Sequence, residues 1–340
     1  MKKLAWLKFI IIWFFIGFFF SFLLYTGTWY KIRTGLGSVS ILSYILLFPA
    51  MFYLTLTLHE LSHFISFRCQ GIRLRAIYIT IFVFYRTEKG WKVTIKPKLW
   101  VLFGGLVVPD LSPIETEEDY QSTARKFSMS LLVAPIVTIS FACATLLMMI
   151  MVLAFSNQTG LIGHLLVSTV YVLAFSSVYT LSFFLSNDAF YGDFVAFRKM
   201  KTDLIFQLVQ INQYLMFSLQ NHEKTNDFLW KKIELAMIET NLSNALFHTM
   251  LVNNYLEGVV YNEKTALPEI DLKLNGLNIH GYMSKEQGLQ TAYELCHYHY
   301  LRKDVKKAYE LFDRIQRRAN KKLPEKLLEY LKRKTSHVMH

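Results

Sequence analysis

The stretch that decides the fold is Thr57-Leu58-His59-Glu60-Leu61-Ser62-His63, which reads H-E-x-x-H and lies inside the apolar run 41–67. On a helix, residues four apart lie on one face, so His59 and His63 can reach the same metal ion, with Glu60 beside them. Ionisable side chains at membrane depth are costly and by default indicate a functional site. The stretch therefore predicts a membrane-spanning helix that carries a metal site.

The composition indicates a membrane protein. Of the 340 residues, 53% are hydrophobic and only 18% are charged, which is too apolar for a soluble protein. A bilayer is crossed by about 20 apolar residues. The segments long enough to cross are about 4–25, 41–67, 127–155 and 161–185. The rest of the chain is more polar, so we expect a membrane domain at 1–198 and a soluble helical domain at 199–340.

The distribution of Lys and Arg predicts the orientation. Many basic residues lie between the second and third segments and after the fourth, whereas the connection 156–160 holds none. Because basic loops stay in the cytoplasm, we expect a multi-pass protein of the cell membrane with both termini cytoplasmic. The net charge of +12 then reflects topology and attraction to the lipid bilayer. The sequence has no basic stripe interleaved with aromatics, so nucleic acid is not an expected partner.

A β-hairpin is predicted after the second segment. The stretch 73–85 is rich in β-branched and aromatic residues, 87–90 has turn composition, and 91–96 alternates apolar and polar residues. The outer strand of this hairpin would offer a free edge to which an extended peptide can add. The stretch 103–109 predicts either a further strand or a loop that dips to the membrane, and 110–122 predicts a surface loop.

The predicted fold class is a mainly α membrane protein with about four transmembrane helices, a small β-hairpin or sheet after the second, and a C-terminal cytoplasmic α-helical domain. In that domain, 285–302 and 304–319 form a helical pair, typical of either a tetratricopeptide-like hairpin or a plain helical bundle. Cys296, His297 and His299 look like metal ligands, but the sequence has no second Cys or His group at a zinc spacing. We interpret them as part of a helix with a buried thiol.

Two carboxylates follow the fourth segment. Asp188 comes after Asn187, and Asp193 comes after Gly192, where the apolar run stops. This is the second place in the chain where polar groups can meet a metal ion at the end of a membrane helix. The residues alone leave both aspartates open.

Three features coincide in this chain: H-E-x-x-H in a membrane helix, a hairpin after it, and an aspartate after a later membrane helix. Together they resemble the site-2 protease family of intramembrane zinc metalloproteases, over roughly 40–198. The stretch 103–107 is similar to the glycine-containing stretch that the family has near its site. The resemblance implies that His59 and His63 bind Zn²⁺ together with a distant Asp, and that Glu60 activates water.

The chain departs from the family at the third ligand. The family typically has an Asn-x-x-Pro run leading to Asp-Gly, whereas this chain has no Pro there and has the reversed order Gly192-Asp193. Asp193 best matches a ligand at the start of a helix, and Asp188 is the alternative. The divergent pattern also leaves open a degenerate relative of the family.

The function that the resemblance implies is that of a zinc metalloendopeptidase. Such a hydrolase would cleave a membrane-associated peptide or protein inside the bilayer with zinc-activated water. The alternative is a catalytically degenerate site-2-protease-like membrane protein that acts as an immunity or scaffold factor. The expected partners are a membrane-bound peptide or protein substrate and the lipid bilayer, and the C-terminal helical domain could bind a protein partner.

Overall fold

The computed structural model describes most of the chain. It covers residues 14, 21, 27–102, 104–187, 191–217, 223–262, 264–283, 286–319, 329 and 333. The first predicted membrane segment, 4–25, lies almost wholly outside the described residues, and so does Asp188.

Helices dominate the described residues. They are α1 (Thr28–Ser38), α2 (Ile41–Cys69), a 3₁₀ helix (Pro97–Leu102), α3 (Glu117–Phe155), α4 (Thr159–Phe183), α5 (Asp193–Thr202), α6 (Leu204–Leu215), α7 (Glu223–Glu239), α8 (Leu246–Tyr261), α9 (Pro268–Asn275), α10 (Ile279–Tyr282), α11 (Glu286–Leu301) and α12 (Val305–Ala319). Within the described residues, three helices are long and apolar enough to cross a membrane: α2, α3 and α4. The prediction of a mainly helical fold is confirmed, and the last three predicted segments coincide with these helices.

Helix α3 begins at Glu117, well before the predicted span 127–155. Thr116 and Asp119 explain the early start, because they form a capping box. The Asp119 N–H donates to Thr116 Oγ1 at 3.2 Å, and the Thr116 N–H donates to Asp119 Oδ2 at 3.1 Å. Acidic residues in the first turn also stabilise the start of the helix, because their negative charges interact favourably with the positive end of the helix dipole. The prediction of a loop over 110–122 was therefore wrong from Glu117 onward.

Four strands form one antiparallel sheet in the order β3-β2-β1-β4. They are β1 (Arg73–Ile79), β2 (Phe82–Thr87), β3 (Gly90–Ile95) and β4 (Gly105–Asp110). The stretch 73–85, predicted as continuous strand, contains a turn at Thr80. The φ angle of Thr80 is 50°, in the left-handed region, and no glycine in the sequence indicates this turn. The predicted hairpin of β2 and β3 is confirmed, with Thr87 opposite Gly90 at the turn. Strand β4 decides between the two alternatives predicted for 103–109.

Contacts divide the chain into two units. The first combines Met1–Ser66, Ile77–Val107 and Ser130–Phe184, and the second combines Phe67–Ala76, Val108–Met129 and Leu185–His340. In the first unit, α1 packs closely on α4 at two glycines, Gly35 and Gly163. A Cβ added at Gly163 would lie only 2.1 Å from the carbonyl oxygen of Gly35, so the backbones can approach this closely only without a side chain there. Lys31 of α1 also donates to the carbonyl oxygens of Leu153 and Ser156, at 3.1 and 3.0 Å, where α3 ends.

The second unit is rich in helices and has a buried apolar core. Its side chains with no exposed surface include Val209, Ile211, Met237, Leu251, Tyr255 and Leu289. The first turns of α3 belong to this unit. Lys232 of α7 pairs with Glu117 at 2.6 Å and lies 4.5 Å above the ring of Tyr120.

Cys296 lies in α11 and has no exposed surface. Its thiol donates to the carbonyl oxygen of Ala308 at 3.0 Å. Burial raises the pKa of this thiol to about 12, so it is protonated at neutral pH and is a poor metal ligand. The interpretation of Cys296 as a buried thiol in a helix is confirmed.

Candidate metal centre

Helix α2 carries His59, Glu60 and His63 into the interior of the first unit. His59 and Glu60 are buried, with 6% and 5% of their surface exposed, and His63 is half-buried. The two imidazole rings lie edge to face with centroids 4.9 Å apart. The spacing of four residues therefore brings both rings to one place, as the sequence predicts.

The hydrogen bond of His63 determines which of its nitrogens can bind a metal. Its Nδ1 atom lies 3.0 Å from the carbonyl oxygen of Ser130 in α3. A carbonyl oxygen can only accept, so Nδ1 carries the proton and donates it. The lone pair is then on Nε2, which is the nitrogen left for a metal ion.

His59 is held from two sides. Its Nδ1 atom lies 3.0 Å from Thr138 Oγ1 of α3. Its ring stacks on Phe183 of α4, with centroids 5.2 Å apart and planes 9° from parallel, and Tyr179 lies nearly parallel at 6.1 Å. Sequence reasoning missed these three partners, because their positions follow from how α3 and α4 pack on α2 and no local pattern marks them.

Strand β4 lies directly against Glu60. A Cβ added at Gly105 would lie 2.3 Å from the carboxyl carbon of Glu60 and 2.6 Å from its Oε1 atom. Only glycine allows this approach of the backbone to the carboxylate. The glycine-containing stretch singled out in the sequence is thus brought to the motif glutamate.

Asp193 is the first residue of α5 and is half-buried. Directly before it in the chain, the Gly192 N–H donates to the carbonyl oxygen of Leu185 at 2.9 Å. One ligand atom from each of His59, His63 and Asp193 lies within 4.8 Å of the others, so these residues could hold a metal ion.

The chemistry of this donor set fits zinc. Two imidazole nitrogens and one carboxylate oxygen make three protein ligands, which leaves a fourth position of a tetrahedral site for water or substrate. A fourth protein ligand is typical of structural zinc sites, and the three-ligand pattern is typical of catalytic ones. Glu60 is adjacent in sequence to His59 and is the residue that the motif uses as a base.

A protein-family model identifies the family of this chain. The model of peptidase family M50 matches residues 47–327, which is most of the chain. The chain belongs to peptidase family M50. No curated protein and no solved structure matches the chain.

Membership of M50, the site-2 protease family, confirms the resemblance seen in the sequence. Members of this family are zinc metalloproteases, which agrees with the donor set of His59, His63 and Asp193. The match reaches residue 327, so it extends past the stretch 40–198 that carries the motifs. The range of roughly 40–198 given for the likeness from the motifs was therefore too short. The M50 match and the three apolar helices together indicate a membrane protein.

Proposed function

We propose that this M50 protein is an active intramembrane zinc endopeptidase that hydrolyses a peptide bond in a membrane-associated peptide or protein. The observation that carries the proposal is the convergence of His59, His63 and Asp193 within 4.8 Å. Glu60 is buried on α2, the helix that carries both histidines. A buried carboxylate is costly there, and a degenerate relative would have no need to retain it.

The proposed chemistry divides the work among the side chains. When bound, zinc supplies a Lewis acid that polarises the scissile carbonyl and lowers the pKa of water. His59, His63 and Asp193 would hold it through two nitrogens and one oxygen. Glu60 takes the proton from the attacking water and passes it to the leaving amine. The rings of Tyr179 and Phe183 lie nearly parallel to the imidazole of His59 and help to bury it and fix its plane.

A substrate must be extended before it can be cleaved, because the carbonyls of a helix are already hydrogen-bonded. An edge strand binds such an extended segment by strand addition. Both β3 and β4 are edges of the sheet. They lie three strand spacings apart, about 14 Å, so they cannot present the same peptide bond to Glu60. The backbone of β4 at Gly105 touches Glu60, so we propose β4, instead of the β3 edge that the sequence suggested.

The free side of β4 follows from one hydrogen bond. The Thr80 N–H donates to the carbonyl oxygen of Gly104 at 3.0 Å, which pairs these two residues across the sheet. Backbone groups in an antiparallel pair alternate between the partner strand and the opposite side. Gly105, Val107 and Pro109 therefore direct their backbone groups away from β1. Pro109, which has no N–H to donate, falls at an outward position as edge strands require.

We expect Val107→Pro to lower cleavage by roughly tenfold, because it removes one outward N–H and leaves a substrate carbonyl without its partner. Val93→Pro is the corresponding change on β3, where the side chain is exposed instead of buried, so thermal unfolding of both variants is measured beside the rates. The Lys96 N–H donates to the carbonyl oxygen of Ile81 at 2.8 Å, so by the same alternation the Val93 N–H also points outward. Initial rates of cleavage of one peptide by the two variants are compared. Loss of activity with Val93→Pro alone would assign substrate capture to β3.

The proposed function is tested by co-expressing single-pass membrane peptides with the wild-type protein and with His59→Ala. We expect cleavage within the apolar segment by the wild type only, since the variant lacks one zinc ligand. Product termini are mapped by mass spectrometry. Equal cleavage with both proteins, or none with either, would favour the non-catalytic alternative, an immunity or scaffold factor of the same fold.

The proposal also includes the orientation of the chain in the membrane, with both termini in the cytoplasm. The site would lie toward the cytoplasmic end of α2, since its loops on that side are basic. Fusing a reporter that is active only in the cytoplasm to the C-terminus tests this, and an inactive but expressed fusion would reverse the topology.

A further inference from the structure

Thr138 bonds in two directions, and its single proton can serve only one of them. Its Oγ1 atom lies 3.1 Å from the carbonyl oxygen of Ala134, one turn earlier in α3. That oxygen can only accept, so the hydroxyl donates its proton there. The same Oγ1 atom lies 3.0 Å from His59 Nδ1, and a hydroxyl that donates to Ala134 offers only lone pairs to the histidine.

The consequence is a defined tautomer for His59. When the Thr138 hydroxyl donates to Ala134, it accepts from His59, and the Nδ1 atom of His59 carries the proton. The lone pair is then on Nε2, as it is in His63, so both rings present the same nitrogen. In the opposite tautomer, a proton on Nε2 would block metal binding by that nitrogen.

The burial of both groups strengthens the effect of this hydrogen bond on the tautomer of His59. Thr138 is 1% exposed and His59 is 6% exposed, so water does not compete for either group. The stacking of His59 on Phe183 holds the plane of the ring but is indifferent to the tautomer. The hydroxyl of Thr138 is therefore a described contact of this ring that distinguishes between its two nitrogens.

We propose that Thr138 is a positioning residue of the metal centre, which holds His59 in the Nδ1-protonated tautomer so that Nε2 can bind the metal. The inference rests on the proposed metal site and adds a residue that no motif of the sequence contains. Partners that orient a metal-bound histidine typically contribute 10- to 100-fold to metal affinity.

Thr138→Val tests the inference, because valine keeps the shape of threonine and removes the acceptor. The full-length protein in detergent is titrated with zinc against a competing chelator. We expect zinc affinity to fall about 10- to 100-fold in Thr138→Val and to return in Thr138→Ser, which restores the hydroxyl. Nitrogen NMR of isotope-labelled histidine in the metal-free protein gives a second readout. It should report the Nδ1-protonated form of His59 in the wild type and a mixture in Thr138→Val.

Thr145→Val is the matched control. Thr145 lies in the same helix, is buried, and donates to the carbonyl oxygen of Phe141 at 2.8 Å, so it makes the same back-bond without a histidine partner. We expect its zinc affinity and its histidine spectra to equal those of the wild type. A loss of affinity in this variant equal to that in Thr138→Val would assign the effect to the helix and overturn the inference.

The two proposals can fail separately. Unchanged zinc affinity and an unchanged His59 tautomer in Thr138→Val would overturn the positioning role and leave the protease function standing. A wild-type protein that binds zinc, weakens on Thr138→Val and cleaves no peptide would support the positioning role and contradict the protease function. The NMR readout decides the tautomer even if the wild type binds no zinc.

Discussion

Glu60→Gln should abolish peptide cleavage and leave zinc bound. Glutamine has nearly the shape of glutamate but cannot accept the proton of the attacking water, and general acid–base catalysis contributes about 10²- to 10⁴-fold to rate. Glu60 is not among the residues whose ligand atoms converge, so zinc content should equal that of the wild type. The measurement pairs zinc per chain with the initial rate on one membrane peptide.

Gly105→Ala provides an independent test of the same role. A methyl group there would lie 2.3 Å from the carboxyl carbon of Glu60, so the flexible carboxylate must move aside while the strand stays in place. A displacement of about 1 Å in a catalytic group can cost on the order of 10²-fold in rate. Gly37→Ala is the control, since the space around Gly37 is open. Full activity in Glu60→Gln would remove Glu60 from the mechanism, whereas full activity in Gly105→Ala would show that the carboxylate can shift without loss of its role.

Asp193→Ala should reduce zinc affinity on the order of 10²-fold or more, and cleavage should fall to background with it. Loss of a residue that only orients a ligand costs 10- to 100-fold in affinity, and loss of a ligand should cost at least as much. The two histidines would remain, but two protein ligands are too few for a catalytic zinc site. Chelator competition measures the affinity, and the cleavage assay is run at saturating zinc.

Asp188→Ala is the matched variant for this experiment, because Asp188 is the other aspartate that the sequence offers as third ligand. We expect its zinc affinity to stay close to the wild-type value. The reverse result, with Asp188→Ala losing zinc and Asp193→Ala keeping it, would exchange the two residues in the proposed site. Thermal unfolding of both variants checks that neither change has unfolded the helices.

The elements that could be predicted from sequence are those with a local cause. Helix α2 follows from one long apolar run, and the convergence of His59 and His63 follows from the pitch of that helix. The hairpin follows from alternation and a polar turn. In each case the signal lies within a few neighbouring residues.

The rest depends on tertiary packing or on weak local signals. The turn at Thr80 has no glycine, so composition alone extends the strand through it. The capping box at Thr116 and Asp119 was a readable signal for the start of α3, but the acidic stretch favoured a loop prediction. Thr138 lies 79 residues from His59 in sequence, and only the packing of α3 on α2 brings its hydroxyl to the ring.

The most direct test of the proposed protease function is hydrolysis by the zinc-loaded wild-type protein in water enriched in heavy oxygen. The purified protein is mixed with a membrane-inserted single-pass peptide, and the products are weighed by mass spectrometry with and without a zinc chelator. We predict cleavage inside the apolar segment, one heavy oxygen atom in the new carboxyl terminus, and recovery of activity when zinc is returned. A protein that binds zinc at His59 and His63 yet leaves an extended, membrane-inserted peptide intact would contradict it.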